Sequence, residues 1–170
     1  ALTATGNSST VTYNGGNQSV VGFTVSGLQG SDTTNNLSSI AASGATGKNV
    51  GSYTNTVTAG TETNYTVTTV NGALQVDKAN LIATGNSGSV TYNGANQSVG
   101  GFAVSGLLGS DSVSSLSSIV ASGATGKNVG SYTNTVTAGT EANYNVSTVN
   151  GSLQIGKANL ILSGTREYDA

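Results

Sequence analysis

Apolar side chains alternate with hydroxyl and amide side chains along most of this chain. Val11 and Tyr13, then Val20, Phe23 and Val25, then Tyr65 and Val67 recur between Thr, Ser, Asn and Gln. Strict alternation places one set of side chains on one face of an extended segment, so the pattern predicts half-buried β-strands with a Thr-rich outer surface. The predicted strands cover Thr10 to Asn14, Gln18 to Ser26, Val50 to Thr58, Tyr65 to Val70 and Leu74 to Val76. Asn71-Gly72 between the last two carries the residues of a type I′ turn, which needs positive φ at both central positions. It predicts a hairpin with Val70 opposite Ala73, Thr69 facing Leu74 and Val67 facing Val76. Asn150-Gly151 repeats the signal beside Val146, Leu153 and Ile155. One interruption has a different period. Ser31 or Asp32 in the run Ser31 to Ile40 is placed to cap a short helix that buries Leu37 and Ile40 at i, i+3 spacing.

The strand pattern occurs twice. TVTYNGGNQSVVGF from Thr10 aligns without a gap with SVTYNGANQSVGGF from Ser89, and SGATGKNVGSYTNTVTAGTE recurs unchanged at Ser43 to Glu62 and Ser122 to Glu141. Self-similarity at a fixed period is the mark of a repeat architecture. We therefore divide the chain into one repeat over residues 1–78, a second over 79–158, and a start of a following repeat or a tail over 159–170. The join, Asp77 to Asn86, contains no Pro and no Gly/Ser run, so it predicts a strand passing from one repeat into the next and a stiff junction. Thr33 to Asn36 become Ser112, Val113, Ser114 and Ser115, the densest cluster of differences between the copies and a predicted exposed face.

Composition changes the picture mainly by exclusion. Charged residues make up 7% of the chain and the net charge is -2, with basic side chains scattered at Lys48, Lys78, Lys127, Lys157 and Arg166. Nucleic-acid binding needs clustered Lys and Arg, so no nucleic-acid partner is expected, and an anionic membrane is disfavoured for the same reason. No run reaches the roughly 18 apolar residues of a membrane helix, so no membrane insertion is expected. His, Cys, Met, Trp and Pro are all absent. That removes the usual general base, thiol chemistry, disulfides and soft metal ligands together. The chain reads as non-enzymatic, without cofactor or metal. With so few aromatic side chains, Phe23, Phe102, Tyr13, Tyr53, Tyr65, Tyr92, Tyr132 and Tyr144 are expected in the core, with an aromatic carbohydrate platform as the other reading.

The motifs that suggest chemistry each have a plainer reading. Ala42 to Asn49 has the outline of a phosphate loop, yet Ala stands at the first Gly of GxxxxGK[ST] and Asn at the closing hydroxyl residue, so it reads as a loop before a strand. The carboxylates Asp32, Glu62, Asp77, Asp111 and Glu141 are too sparse for a calcium cage and read as solvated or capping groups. Lys48, Lys78 and Glu62 raise the idea of an intramolecular Lys to Asn isopeptide bond, against the plainer reading of surface lysines. Triplets of the form N-x-[ST] at Asn7, Asn17, Asn36, Asn64, Asn96, Asn145 and Asn150 are what chance supplies in a chain this rich in Asn, Ser and Thr.

SVTYNG, the GLxGSD segment, KNVGSYTNTV and the closing NYTVTTVNGALQVDKANL together resemble the MBG repeats, of YGX type, found in bacterial haemagglutinin-like and two-partner-secretion exoproteins. The likeness covers both copies nearly end to end. Tyr13-Asn14-Gly15 and Gly30-Ser31-Asp32 each separate the family's adjacent pair by one residue. Gly164 to Ala170 resembles the opening of the related YDG repeat, with Ala at the final Gly. The resemblance implies a mainly β, β-grasp-like α+β fold with one short helix per repeat, tandem stacking, and exposure at the bacterial surface or in the secreted fraction. By that implication the chain is a stalk or spacer segment of an adhesin, with neighbouring repeats as its first partners and a host or bacterial surface glycan or protein as a further one. Thr-rich strand faces, Thr54, Thr56, Thr58 or Thr66, Thr68, supply the rival expectation of a carbohydrate- or surface-binding module.

Overall fold

The computed structural model describes residues 1–164 and is mainly β. In the first copy the strands are β1 (Leu2–Gly6), β2 (Ser9–Thr12), β3 (Gln18–Val20), β4 (Phe23–Ser26), β5 (Ile40–Ala42), β6 (Ala45–Gly47), β7 (Gly51–Asn55), β8 (Val57–Ala59), β9 (Val67–Val70) and β10 (Gly72–Asp77). The second copy repeats them as β11 (Ala79–Gly85), β12 (Gly88–Thr91), β13 (Gln97–Val99), β14 (Phe102–Ser105), β15 (Ile119–Ala121), β16 (Ala124–Gly126), β17 (Gly130–Asn134), β18 (Val136–Ala138), β19 (Tyr144–Val149) and β20 (Gly151–Gly156).

The chain forms two compact units whose boundaries differ from those of the repeats. Unit 1 holds residues 1–81 with the segments 106–117 and 140–146, and unit 2 holds the remainder. In unit 1, β1 lies between β4, antiparallel, and β9, parallel, while β10 lies between β2, parallel, and β7, antiparallel. Two short antiparallel pairs, β3 with β6 and β5 with β8, complete the copy. Alternate residues of the two central strands point inward, and Leu2, Ala4, Leu74 and Val76 are fully buried. Burying such a side chain contributes about 1.5–3 kcal/mol, and these strands supply most of what a chain so poor in large side chains has available.

Unit 2 repeats the second arrangement with β20 between β12 and β17, and the short pairs with β13 on β16 and β15 on β18. Its core gathers Ala124, Leu153 and Ile155, with Val90, Val99 and Tyr132 packed against them. β14 pairs with the Ile82 to Gly85 half of β11. The expected strand through the join is present as β10 and β11, interrupted only at Lys78.

The structure corrects several sequence expectations. The Asn71-Gly72 hairpin does not form. Val70 pairs with Thr5 and Gly72 with Asn55, so β9 and β10 belong to different sheets and the chain crosses from one to the other between them. Gly72 is not among the glycines at positive φ. Glycine is required there because a Cβ would run into the backbone oxygens of Asn7 and Gly6, and Asn71 serves the crossing by accepting the Val57 N–H on its Oδ1 at 2.9 Å. Asn150 does the same for Val136 at 2.9 Å. The pairing of Val67 with Val76 and of Thr69 with Leu74 fails with the hairpin.

The expected short helix is a single 3-10 turn, Thr34–Asn36, with a counterpart at Val113–Ser115. Thr33 caps it rather than Ser31 or Asp32: its N–H donates to Asn36 Oδ1 at 2.7 Å, whereas Asp32 is occupied by Tyr65. Leu37 already has an extended backbone and Ile40 lies in β5, so neither is helical. Two long predicted strands are broken, Gln18 to Ser26 at Gly22, whose φ is +82°, and Val50 to Thr58 at Thr56.

The aromatic expectation also needs correction. Tyr13 and Tyr144 are buried, Phe23, Phe102, Tyr53, Tyr65 and Tyr132 are half-buried, and Tyr92 is exposed. Lys157 to Ile161 repeats the sequence of Lys78 to Ile82, yet no strand forms there and Leu160, Ile161 and Leu162 are exposed. Most of the YDG-like segment, from Thr165 onward, lies outside the described residues.

Candidate functional site

The densest polar cluster in unit 1 is built on one carboxylate. Asp111 follows a turn in which its N–H donates to the Leu108 carbonyl at 3.2 Å. Its Oδ2 accepts the phenol of Tyr144 at 2.6 Å and that of Tyr13 at 2.8 Å. The two rings meet edge to face, with centroids 5.5 Å apart and planes at 82°, the arrangement that sets a ring's positive edge on its neighbour's negative face. Tyr144 Oη also accepts the Leu108 N–H at 3.1 Å, and the Tyr13 N–H is fixed by the Asp77 carbonyl at 2.8 Å. Tyr13 is therefore held at the backbone and at the phenol, and Tyr144 by two hydrogen bonds at its phenol.

Neighbouring groups lock the same region. Asn143 accepts the Val50 N–H on Oδ1 at 3.0 Å and donates from Nδ2 to Asn49 Oδ1 at 3.2 Å. Its carbonyl accepts the Ala79 N–H at 3.0 Å. Lys78 Nζ donates to the Glu141 carbonyl at 2.6 Å. Gly15 and Gly109, at φ +78° and +62°, approach so closely that a Cβ on Gly15 would lie 2.6 Å from the Gly109 Cα, so only glycine fits at either position.

Electrostatics follow from the donors. The phenol of Tyr144 first, then that of Tyr13, holds the Asp111 carboxyl below the usual carboxylate range, with the nearby Lys48 charge adding to the effect. Burial, with the hydrogen bond to Asp111, pushes Tyr144 up to about 12 and raises Tyr13 as well. One ionised carboxylate gripped by two neutral phenols is a charge-assisted fastening. Its chemistry is that of a structural tie, because each acidic proton is held by its oxygen more firmly than in water.

A partial counterpart stands at the other copy's loops. Tyr65 donates to Asp32 Oδ2 at 2.5 Å, and Gln29 N–H donates to Tyr65 Oη at 3.0 Å. Beside them lies a cleft of about 260 Å³, bordered by Asp32, Glu62, Asn64 and Tyr65. The equivalent cleft beside Asp111 and Tyr144 measures about 70 Å³.

The residues singled out in the sequence fall into place around this geometry. Lys48, Lys78 and Glu62 are not gathered about an Asn: Glu62 Oε1 accepts the N–H and Oγ of Ser39 at 2.8 and 2.7 Å, and Lys78 meets a backbone carbonyl. Asp77 is exposed and accepts from Gln75 at 3.1 Å. Ala42 to Asn49 takes in the last residue of β5 and all of β6, and Gly47 is needed because the Tyr53 ring lies on it. Thr54, Thr56, Thr58, Thr66 and Thr68 all face outward. Sequence reasoning missed Asn55 and Asn134, both completely buried. Asn55 accepts the Gly44 N–H at 2.9 Å and donates to the carbonyls of Asn7 at 3.1 Å and Gly22 at 2.9 Å. The available signal was an amide at the end of a strand that otherwise favours Tyr, Thr and Val.

The repeat geometry has a family counterpart. A model of the MBG domain, YGX type, matches residues 2–75 and again residues 81–154. The chain belongs to the MBG domain family. These domains are structural repeats that occur in extracellular surface proteins, and the two matches set the chain among tandem arrays of them. Neither the curated proteins nor the solved structures gave a match. Among the described residues no helix is long and apolar enough to cross a membrane.

Proposed function

We propose that this chain is a non-enzymatic stalk or spacer segment of a secreted or cell-surface bacterial adhesin, supporting cell adhesion or biofilm cohesion. The observation that carries the reading is the Asp111 tie, in which Tyr13 of the first matched repeat and Tyr144 of the second share one ionised carboxylate inside a single compact unit. A tandem segment that transmits load gains from such fastening, because the tie must break before the segments of unit 1 part. Low charge and a hydroxyl-rich surface suit a module that stays soluble.

Single-molecule pulling on the fragment tests the reading. Two unfolding events are expected, each releasing about 25 nm of chain for a repeat of about 80 residues. A chain that extends without resolved events is no load-bearing spacer.

The outward threonines support a second reading, a carbohydrate- or surface-binding module. A glycan array decides between them. The spacer reading expects an inert array, whereas binding lost on changing Thr54, Thr56 and Thr58 to Ala establishes the module.

A further inference from the structure

Tyr92, Gly94, Asn128, Val129 and Lys157 of unit 2 are the second copy's equivalents of Tyr13, Gly15, Asn49, Val50 and Lys78, the residues that receive the Asp111 and Asn143-Tyr144 loops in unit 1. The backbone beneath them is set in the same way, since the Tyr92 N–H donates to the Gly156 carbonyl at 2.9 Å. Yet Tyr92 is 38% and Val129 49% exposed, and a Cβ on Gly94 would meet nothing within 4 Å. The complementary loops in the first copy are also open. Asp32 carries the Tyr65 phenol, the cleft beside them is the larger one, and a Cβ on Gly30, the equivalent of Gly109, likewise meets nothing.

We propose that the Tyr92 face is a docking surface for a second copy of this chain, which inserts its Asp32 and Asn64-Tyr65 loops. The Tyr92 phenol then donates to the partner's Asp32, Asn64 accepts the Val129 N–H, Lys157 reaches the Glu62 carbonyl and Gly94 lies against Gly30. Every one of these contacts already exists in unit 1 between equivalent residues, and that is what selects this occupant over an unrelated protein. The contact is heterologous, so each docked copy presents a further Tyr92 face and association is open-ended. The proposal concerns self-association and stands whether or not the fragment is a spacer. Pulling a single molecule does not involve it.

Sedimentation equilibrium of the full chain, from micromolar to millimolar, tests this with complementing variants. The wild type should show a mass that rises with concentration. Tyr92→Ala should remain monomeric, and so should Asp32→Lys, which removes the acceptor and sets a cation against Lys157. Mixing those two should restore a one-to-one dimer and nothing larger, since each retains the half that the other has lost. Tyr92→Phe should weaken association by about tenfold, the loss of one hydrogen bond to a charged group. Asn64→Ala, at an exposed position, repeats the Asp32 arm if Asp32→Lys disturbs the fold. A wild type that stays monomeric to millimolar concentration overturns the proposal. So does association that survives Tyr92→Ala, or a mixture that fails to dimerise.

Discussion

Tyr13 and Tyr92 hold the same position in the two copies, each with its N–H on the carbonyl that ends the copy's last strand, Asp77 at 2.8 Å and Gly156 at 2.9 Å, yet Tyr13 is 2% exposed and Tyr92 38%. Identical local structure thus carries different energetic weight. Tyr13→Phe takes one of two phenol donors from the part-buried Asp111 and should cost about 1–3 kcal/mol. Tyr92→Phe in dilute monomer should stay within about 0.5 kcal/mol of wild type, as exposed changes do. Urea unfolding of the two variants checks the asymmetry, and equal effects would deny the tie its stabilising role.

The tie also sets two pH limits. Asp111 has a lowered pKa in the folded chain, so its contribution is present above the unfolded carboxylate value and is lost as pH falls through the folded one. Tyr144 is raised to about 12, so its contribution is whole below the unfolded phenol value near 10 and is lost as pH rises through about 12. Phenolate absorbance during alkaline titration should show a late-ionising component. Tyr144→Phe should shrink that component without abolishing it, because burial and Asp111 raise Tyr13 as well.

What was legible in the sequence was what depends on period and repetition. Alternation gave the strands because a pleated backbone sends neighbouring side chains to opposite faces, and duplication gave the two copies. What failed was pairing. Asn71-Gly72 has the local preferences of a turn, but the decisive fact is the approach of Asn7 and Gly6, far away in the chain. The Asp111 tie joins residues 98 positions apart and uses ordinary tyrosines, so no local pattern marks it. The aromatic expectation went wrong for a related reason. Whether Tyr13 or Tyr92 is buried depends on which loops reach it, and both copies spell the same local sequence.

Gly72 gives that lesson a measurable form. A turn glycine at positive φ is replaced by Asn with little loss, because Asn tolerates the left-handed region. Gly72 is instead fully packed in β10 against the backbone of Gly6 and Asn7. Gly72→Asn and Gly72→Ala should both be severe, at about 3 kcal/mol or more, as overpacking against rigid backbone forces the sheets apart. Thermal unfolding decides the matter, and an Asn variant as stable as the wild type would restore the hairpin.

Asn55 offers the sharpest stability test. Its amide satisfies one N–H and two carbonyls in the loops between other strands, and although the Gly22 carbonyl keeps the Asn7 N–H, an apolar side chain of the same size would take this partner from the Gly44 N–H and the Asn7 carbonyl. Leaving a buried polar group unsatisfied costs about 1–3 kcal/mol, so Asn55→Leu should lose about 3 kcal/mol or more despite gaining hydrophobicity. Asn55→Asp should fare as badly, because a carboxylate can accept from Gly44 but faces two carbonyl oxygens with no proton to offer. Protonating that Asp supplies one donor, so the variant should recover part of its stability as pH falls toward 4, in the direction opposite to Asp111. Urea unfolding at pH 4.5 and pH 7 reads the difference, and an Asp variant indifferent to pH would mean that Asn55 does not bind those carbonyls.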